Sequence, residues 1–86
     1  MYKLVRERDN KTLVGQAVKF IEWEEDGRFS QSYDEPGIGR SVMLDPHHLS
    51  YTWLTTTITS FEQVGNILKF STKNSDYVLV LMEHNV

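Results

Sequence analysis

The sequence predicts an all-β protein, a small antiparallel barrel or sandwich of five or six strands built from a single domain over residues 1–86. Three observations carry that reading. From Tyr51 to Phe61 every position except Leu54 and Ser60 is aromatic or β-branched, the class that suits a pleated, half-buried backbone and loses rotamer freedom in a helix. Ile67 to Thr72 and Tyr77 to Met82 follow at hairpin distances, so the C-terminal third reads as a three-strand meander. Turn-forming pairs stand at Asp26-Gly27, Pro36-Gly37 and Gly65-Asn66, spaced for short strands.

Taken in order, Tyr2 to Val5 is an edge strand ending at the charged turn Arg6-Glu7-Arg8-Asp9-Asn10-Lys11. Residues 12–25 carry two readings. Leu13, Val14, Ala17, Val18 and Ile21 recur at helical spacing behind Thr12 as a cap, which makes a helix the competing assignment. Gly15 interrupts that helix at a cost of about 1 kcal/mol, and Phe20 and Trp23 fall off its stripe, so a strand is preferred. Arg28 to Tyr33 returns as a short strand after the Asp26-Gly27 hairpin turn. The loop Asp34 to Gly39 is expected to put Pro36-Gly37 at the centre of a type II turn. Arg40 to Leu44 is a further strand, stopped by Asp45-Pro46. Leu68 and Phe70 mark one face of their strand, Lys69 and Ser71 the other. Tyr77 to Met82 is apolar on both faces, which predicts either the central strand of a closed sheet or a face covered by a second copy, hence a homo-oligomer.

Composition excludes several classes of function. Twelve acidic residues against nine basic ones give a net charge of −3, which argues against direct nucleic-acid binding through a basic field. There is no cysteine, so disulfides, thiolate metal sites and a cysteine nucleophile are excluded together. No apolar run approaches the roughly 18 residues of a membrane span. The expectation is a soluble, cytoplasmic chain that needs neither cofactor nor metal.

The short motifs are weak by themselves. His47-His48 with Asp45 has metal-ligand chemistry, but adjacent side chains on extended backbone point opposite ways and do not share an ion. Ser, His and Asp occur without a Gly-x-Ser-x-Gly elbow. Gly37-Ile38-Gly39-Arg40-Ser41 offers backbone N–H groups and a guanidinium to an anion, yet lacks a Walker ending. Glu22, Glu24, Glu25 and Asp26 make an acidic hairpin tip beside Trp23. The most distinctive feature is the Thr-rich strand. With Leu54, Thr56 and Ile58 inside, Tyr51, Trp53, Thr55, Thr57 and Thr59 share the outer face, a surface of rings and hydroxyls that can stack a flat base and hydrogen-bond phosphate or ribose.

Tyr51 to Thr59, together with Lys73-Asn74-Ser75-Asp76-Tyr77, resembles a pattern in small bacteriophage-encoded accessory proteins: a Trp-x-Thr-Thr strand followed by an Asn-Ser-x-Tyr hairpin. The resemblance implies a compact β protein acting in the bacterial host cytoplasm, of a group that often counters host defence without enzymatic activity. Some members of that group sequester nucleotide-derived immune signals and others block a defence protein; the leading expectation for this chain is a non-enzymatic oligomer that captures a small anionic, nucleotide-like ligand. In that reading Trp53 or Tyr77 stacks on the ligand and Arg40 and Lys73 hold phosphate, while Ser41, Thr55, Thr57 and Asn74 supply polar contacts. The alternatives are a protein-interaction module that inhibits a host defence protein through the acidic hairpin, and a hydrolase working through His47 or His48.

Overall fold

The computed structural model describes residues 1–45 and 52–82. These form eight strands: β1 (Tyr2–Arg6), β2 (Lys11–Gly15), β3 (Val18–Trp23), β4 (Phe29–Tyr33), β5 (Ser41–Leu44), β6 (Trp53–Val64), β7 (Ile67–Thr72) and β8 (Asp76–Leu81). They make one sheet in the order β2-β1-β8-β7-β6-β5-β3-β4, with every neighbouring pair antiparallel. The all-β expectation holds, but the count of five or six strands does not. The helix considered for residues 12–25 is also absent: its apolar residues belong to two strands, Leu13 and Val14 to β2, and Val18 and Ile21 to β3. The helical spacing arose from joining the apolar residues of two separate strands, and Phe20 and Ile21, on opposite faces of β3, are both buried.

The sheet has to roll. Gln16 and Ala17 alone separate β2 from β3, which stand six places apart in the strand order. In a flat sheet that separation is roughly 29 Å, whereas three Cα steps span at most about 11 Å. The result is a half-barrel in which the end of β2 meets the end of β5. Asp45 N–H donates to the Ala17 carbonyl at 2.7 Å, and a Cβ on Gly15 would lie 2.9 Å from Asp45 Cβ and 3.0 Å from Leu44 Cγ. Only a residue without a side chain fits at that seam.

The core lies on the concave face and comprises Leu4, Phe20, Val42, Leu44, Trp53, Ile58, Leu68, Phe70, Tyr77 and Leu79. Strand β6 joins its two halves, pairing with β5 through Trp53–Thr57 and with β7 from Ile58 onward. Two bulges bend it. Ser41 and Met43 pair with Thr57 and Leu54, so β6 carries one extra residue there, and a second extra residue falls between Ile58 and Ser60. Each bulge shifts the inside–outside alternation by one. Trp53, Thr55 and Ile58 are therefore buried, while Leu54, Thr56, Thr57 and Thr59 are exposed.

This corrects part of the predicted outer face: Thr57 and Thr59 are exposed and Ile58 buried as expected, but Trp53 and Thr55 turn inward and Leu54 and Thr56 outward. Trp53 is 9% exposed and Leu54 is 42% exposed, the reverse of the expected register. The threonines instead repair the bulges. Thr55 Oγ1 accepts the Val42 N–H at 3.0 Å, and Thr59 Oγ1 donates to the Ser71 carbonyl at 3.2 Å. Tyr51 lies outside the described residues.

Strand β8 runs between β1 and β7. Tyr77 and Leu79 enter the core, while Val78 and Val80 are half-buried on the convex face. Asp26-Gly27 makes the expected hairpin turn: Gly27 N–H donates to Glu24 O at 2.9 Å, and Gly27 has φ 85°. The type II turn of the next loop sits two residues later than predicted. Arg40 N–H closes on Gly37 O at 3.1 Å, and Gly39, with φ 85°, takes the position that requires positive φ.

Candidate functional site

Strand register fixes one inner-face row: Lys11 opposite Arg6, Arg6 opposite Tyr77, Tyr77 opposite Phe70, and Phe70 opposite Phe61. Two cations are thus followed by three rings along one line. Trp53, the first residue of β6, closes over this row from the other half of the sheet. Its indole meets Tyr77 edge-on at 6.0 Å between centroids, and Tyr77 stacks on Phe70 at 4.9 Å with the planes 6° apart. Lys11 Nζ lies 4.6 Å from the Trp53 ring centroid and Arg6 Cζ lies 5.7 Å from it, both within cation–π range.

The two cations differ in how they are held. Arg6 is gripped by Asp9 through Nε and Nη2 contacts of 3.0 and 2.6 Å. The Asp9 hydrogen bonds, with a smaller contribution from the neighbouring Tyr77, keep the guanidinium more basic than usual. Reciprocally, the Arg6 hydrogen bond lowers the Asp9 carboxyl from 3.8 to about 2. Lys11 has no carboxylate partner among the described residues. It is the free positive charge of the group, resting on the indole face.

The predicted site residues are not gathered in one place. Trp53 and Tyr77 do touch, but as core rings. Arg40 lies flat 3.5 Å from the Tyr33 ring centroid, and its Nη1 donates to the Glu35 carbonyl at 2.9 Å. On the other side it lies so close to Gly37 that a Cβ there would be 2.9 Å from Nε. The neighbouring Glu22 carboxylate, with burial, raises the Tyr33 pKa. Ser41 is buried, and its Oγ accepts the Trp23 Nε1–H at 2.9 Å. The Thr55 hydroxyl is taken by Val42 N–H and by the Thr56 carbonyl, to which it donates at 2.8 Å. Thr57 is exposed opposite Ser41. Lys73 and Asn74 are exposed on the β7–β8 turn, where Asn74 N–H donates to Thr72 Oγ1 at 3.3 Å. That turn follows directly from the pairs Phe70–Tyr77 and Ser71–Asp76, so it stands at the same end of the sheet as Arg6. His47 and His48 lie outside the described residues.

Comparison with family models, with characterised proteins and with solved structures gives no match. Other hollows suit an anion less well. A cleft of about 440 Å³ shares Tyr77, Phe70 and Phe61 with the inner-face row and carries Lys69, but Glu7, Glu62 and Asp76 also line it and make it acidic on balance. A cavity of about 160 Å³ at the opposite end of the inner face is walled by Tyr2, Phe20, Leu68, Leu79 and Leu81, with Asp34 at its rim. Sequence reasoning missed Arg6 and Lys11 because they stand in a charged stretch that reads as a solvated turn. The available signal was the four-residue spacer between them: a hairpin closed at Arg6 and Lys11 puts both side chains on one face.

Proposed function

We propose that the chain is a non-enzymatic binding protein that captures a small anionic ligand carrying a flat ring, of nucleotide type, at the Lys11–Arg6–Tyr77 end of the half-barrel. The observation that supports this is the convergence of Lys11 and Arg6 on the Trp53 indole. A ligand phosphate replaces the weak lysine–indole contact with a charge-assisted hydrogen bond, and the ring left uncovered offers a stacking face. Lys73 and Asn74, on the β7–β8 turn at the same end of the sheet, would add rim contacts. Following the resemblance to phage accessory proteins, the ligand is a nucleotide-derived signal of a bacterial host, and the effect of binding is sequestration in the cytoplasm.

The test is a thermal-shift and calorimetric panel of cyclic and ADP-ribose-type nucleotides. A ligand present at about 100 times its Kd stabilises by about 2.7 kcal/mol, which a melting curve resolves readily. Lys11→Glu should abolish the response while leaving the unliganded melt nearly unchanged. Silence across the panel overturns the reading. A second reading, inhibition of a host defence protein, is favoured by one observation: Phe29 is 59% exposed next to the acidic tip Glu24-Glu25-Asp26. Charge reversal of that tip with no change in binding to candidate basic partners would remove it.

A further inference from the structure

The loop between β1 and β2 places a carboxylate inside a site that is otherwise cationic. Register closes the hairpin at Arg6 and Lys11, and Asp9, in the loop between them, turns back onto Arg6. Its two oxygens accept from Nε and Nη2 at 3.0 and 2.6 Å, and Oδ1 also accepts the Lys11 N–H at 3.3 Å. Asp9 is thus tied to both ends of the hairpin. The grip occupies two of the five guanidinium N–H groups and leaves Nη1 and one Nη2 proton for another acceptor. It also offsets the charge of Arg6, because the carboxyl, held at about 2, stays ionised at any physiological pH. Among the described residues, the other charges at this end of the sheet are Glu7 and Arg8 on the loop and Lys73 and Asp76 at the β7–β8 turn. These balance one another, so the surplus is the single positive charge of Lys11.

We propose that Asp9 limits this site to a singly charged phosphate, so that its ligand is a nucleotide phosphodiester rather than a phosphomonoester or a pyrophosphate. The inference rests on the binding reading above and narrows its ligand. A diester brings one negative charge, which Lys11 balances. Its two unesterified oxygens match the donors on offer, Lys11 Nζ and the edge of Arg6 that Asp9 leaves free. A monoester carries a charge of about −1.5 to −2 at neutral pH, and a pyrophosphate sets two charges side by side. The second charge finds no surplus cation and falls beside the Asp9 carboxylate. Discrimination therefore comes from a repulsive group placed within the site, not from a further attractive contact. Asp9 is a positioning residue: it orients Arg6 and excludes a second negative charge.

The experiment is calorimetric titration of the full chain at about pH 8, where a phosphomonoester is dianionic. The probes, for each common base, are the cyclic mononucleotide, the nucleoside monophosphate and the methyl ester of that monophosphate, with ADP-ribose as the pyrophosphate. The cyclic form should bind roughly tenfold tighter than the monophosphate, the size of one unit-charge interaction near a screened surface. The methyl ester has the open shape of the monophosphate but a single charge, so it should side with the cyclic form. Asp9→Asn should erase the preference by strengthening the monophosphate more than the cyclic form, and Asp9→Glu, which keeps the charge, should retain it. A monophosphate or ADP-ribose bound as tightly as the cyclic form overturns the inference and leaves the binding reading standing. So does an Asp9→Asn variant that weakens every probe alike, which would give Asp9 a purely structural role. Silence from every probe overturns both.

Discussion

Replacing Thr55 by valine tests the central claim about β6, that its threonines repair bulges rather than bind ligand. The substitution keeps volume and branching but removes the Oγ1 that accepts the Val42 N–H at 3.0 Å. Val42 is fully buried and Thr55 is 5% exposed, and the bulge opposite Val42 leaves that N–H without a ladder partner. A buried donor stripped of its acceptor costs about 1–3 kcal/mol. For a domain of this size each kcal/mol moves the melting temperature by roughly 4–8 °C. A central loss of about 2 kcal/mol should therefore lower it by roughly 8–16 °C, a large part of a total stability of about 5–15 kcal/mol. Thr55→Ser keeps the acceptor and loses one methyl, about 0.8 kcal/mol, so it should be the milder variant. Thr57→Val, at an exposed position, should stay within about 0.5 kcal/mol. Urea and thermal unfolding of the three variants decide the matter. If Thr55→Val melts with the unaltered protein, or if Thr55→Ser is the worse variant, the hydroxyl does not satisfy Val42 and the account of the bulge fails.

Three further outcomes follow from the same structure. Gly15→Ala should destabilise by about 1–3 kcal/mol through overpacking, because the new Cβ meets Asp45 Cβ at 2.9 Å and Leu44 Cγ at 3.0 Å; chemical denaturation measures it. Leu4→Ala should cost about 2–5 kcal/mol, since Leu4 is wholly buried between Leu13 and Leu79, and a loss under about 1 kcal/mol would contradict its central place. The Asp9 carboxyl is held below its unfolded value of 3.8, at about 2, by the Arg6 hydrogen bond. Its contribution to stability is therefore complete above the unfolded value and is lost as pH falls through the folded one. Asp9→Asn should flatten the melting temperature against pH in that window, and an unchanged slope there would refute the pairing.

What the sequence disclosed is what local chemistry decides. The strand Ile67–Thr72, with Leu68 and Phe70 inside, is legible from alternation, and the Asp26-Gly27 turn from its dipeptide. For residues 12–25 the preferred strand holds, but its division in two was not legible, because the break between β2 and β3 is a two-residue link with no proline and no turn dipeptide. The face of Trp53 misled for a different reason. A bulge is set by what the partner strand pairs with, and nothing within Trp53 to Ile58 marks which threonine is the extra residue. Trp53 and Tyr77 were recognisable as rings with a role, but their meeting with Lys11 and Arg6 joins the first strands of the chain to the last. Periodicity within one segment carries no trace of such a contact.

The roll of the sheet and the candidate site have one cause. Because Gln16 and Ala17 are too few to cross a flat sheet, β2 is drawn toward β5, and the hairpin end that carries Arg6 and Lys11 comes with it. Because β6 is bulged twice, it bends from one half of the sheet to the other and lays Trp53 against Tyr77. Neither movement alone gives the arrangement: the roll without the bend leaves the cations with no indole beneath them, and the bend without the roll leaves the indole uncovered. A ligand held between Lys11 and the Trp53–Tyr77 rings therefore ties the edge hairpin to the strand that joins the two halves. Binding should protect the β1–β2 amides from hydrogen exchange as strongly as those of β6, and protection confined to β6 would mean that the hairpin takes no part in the site.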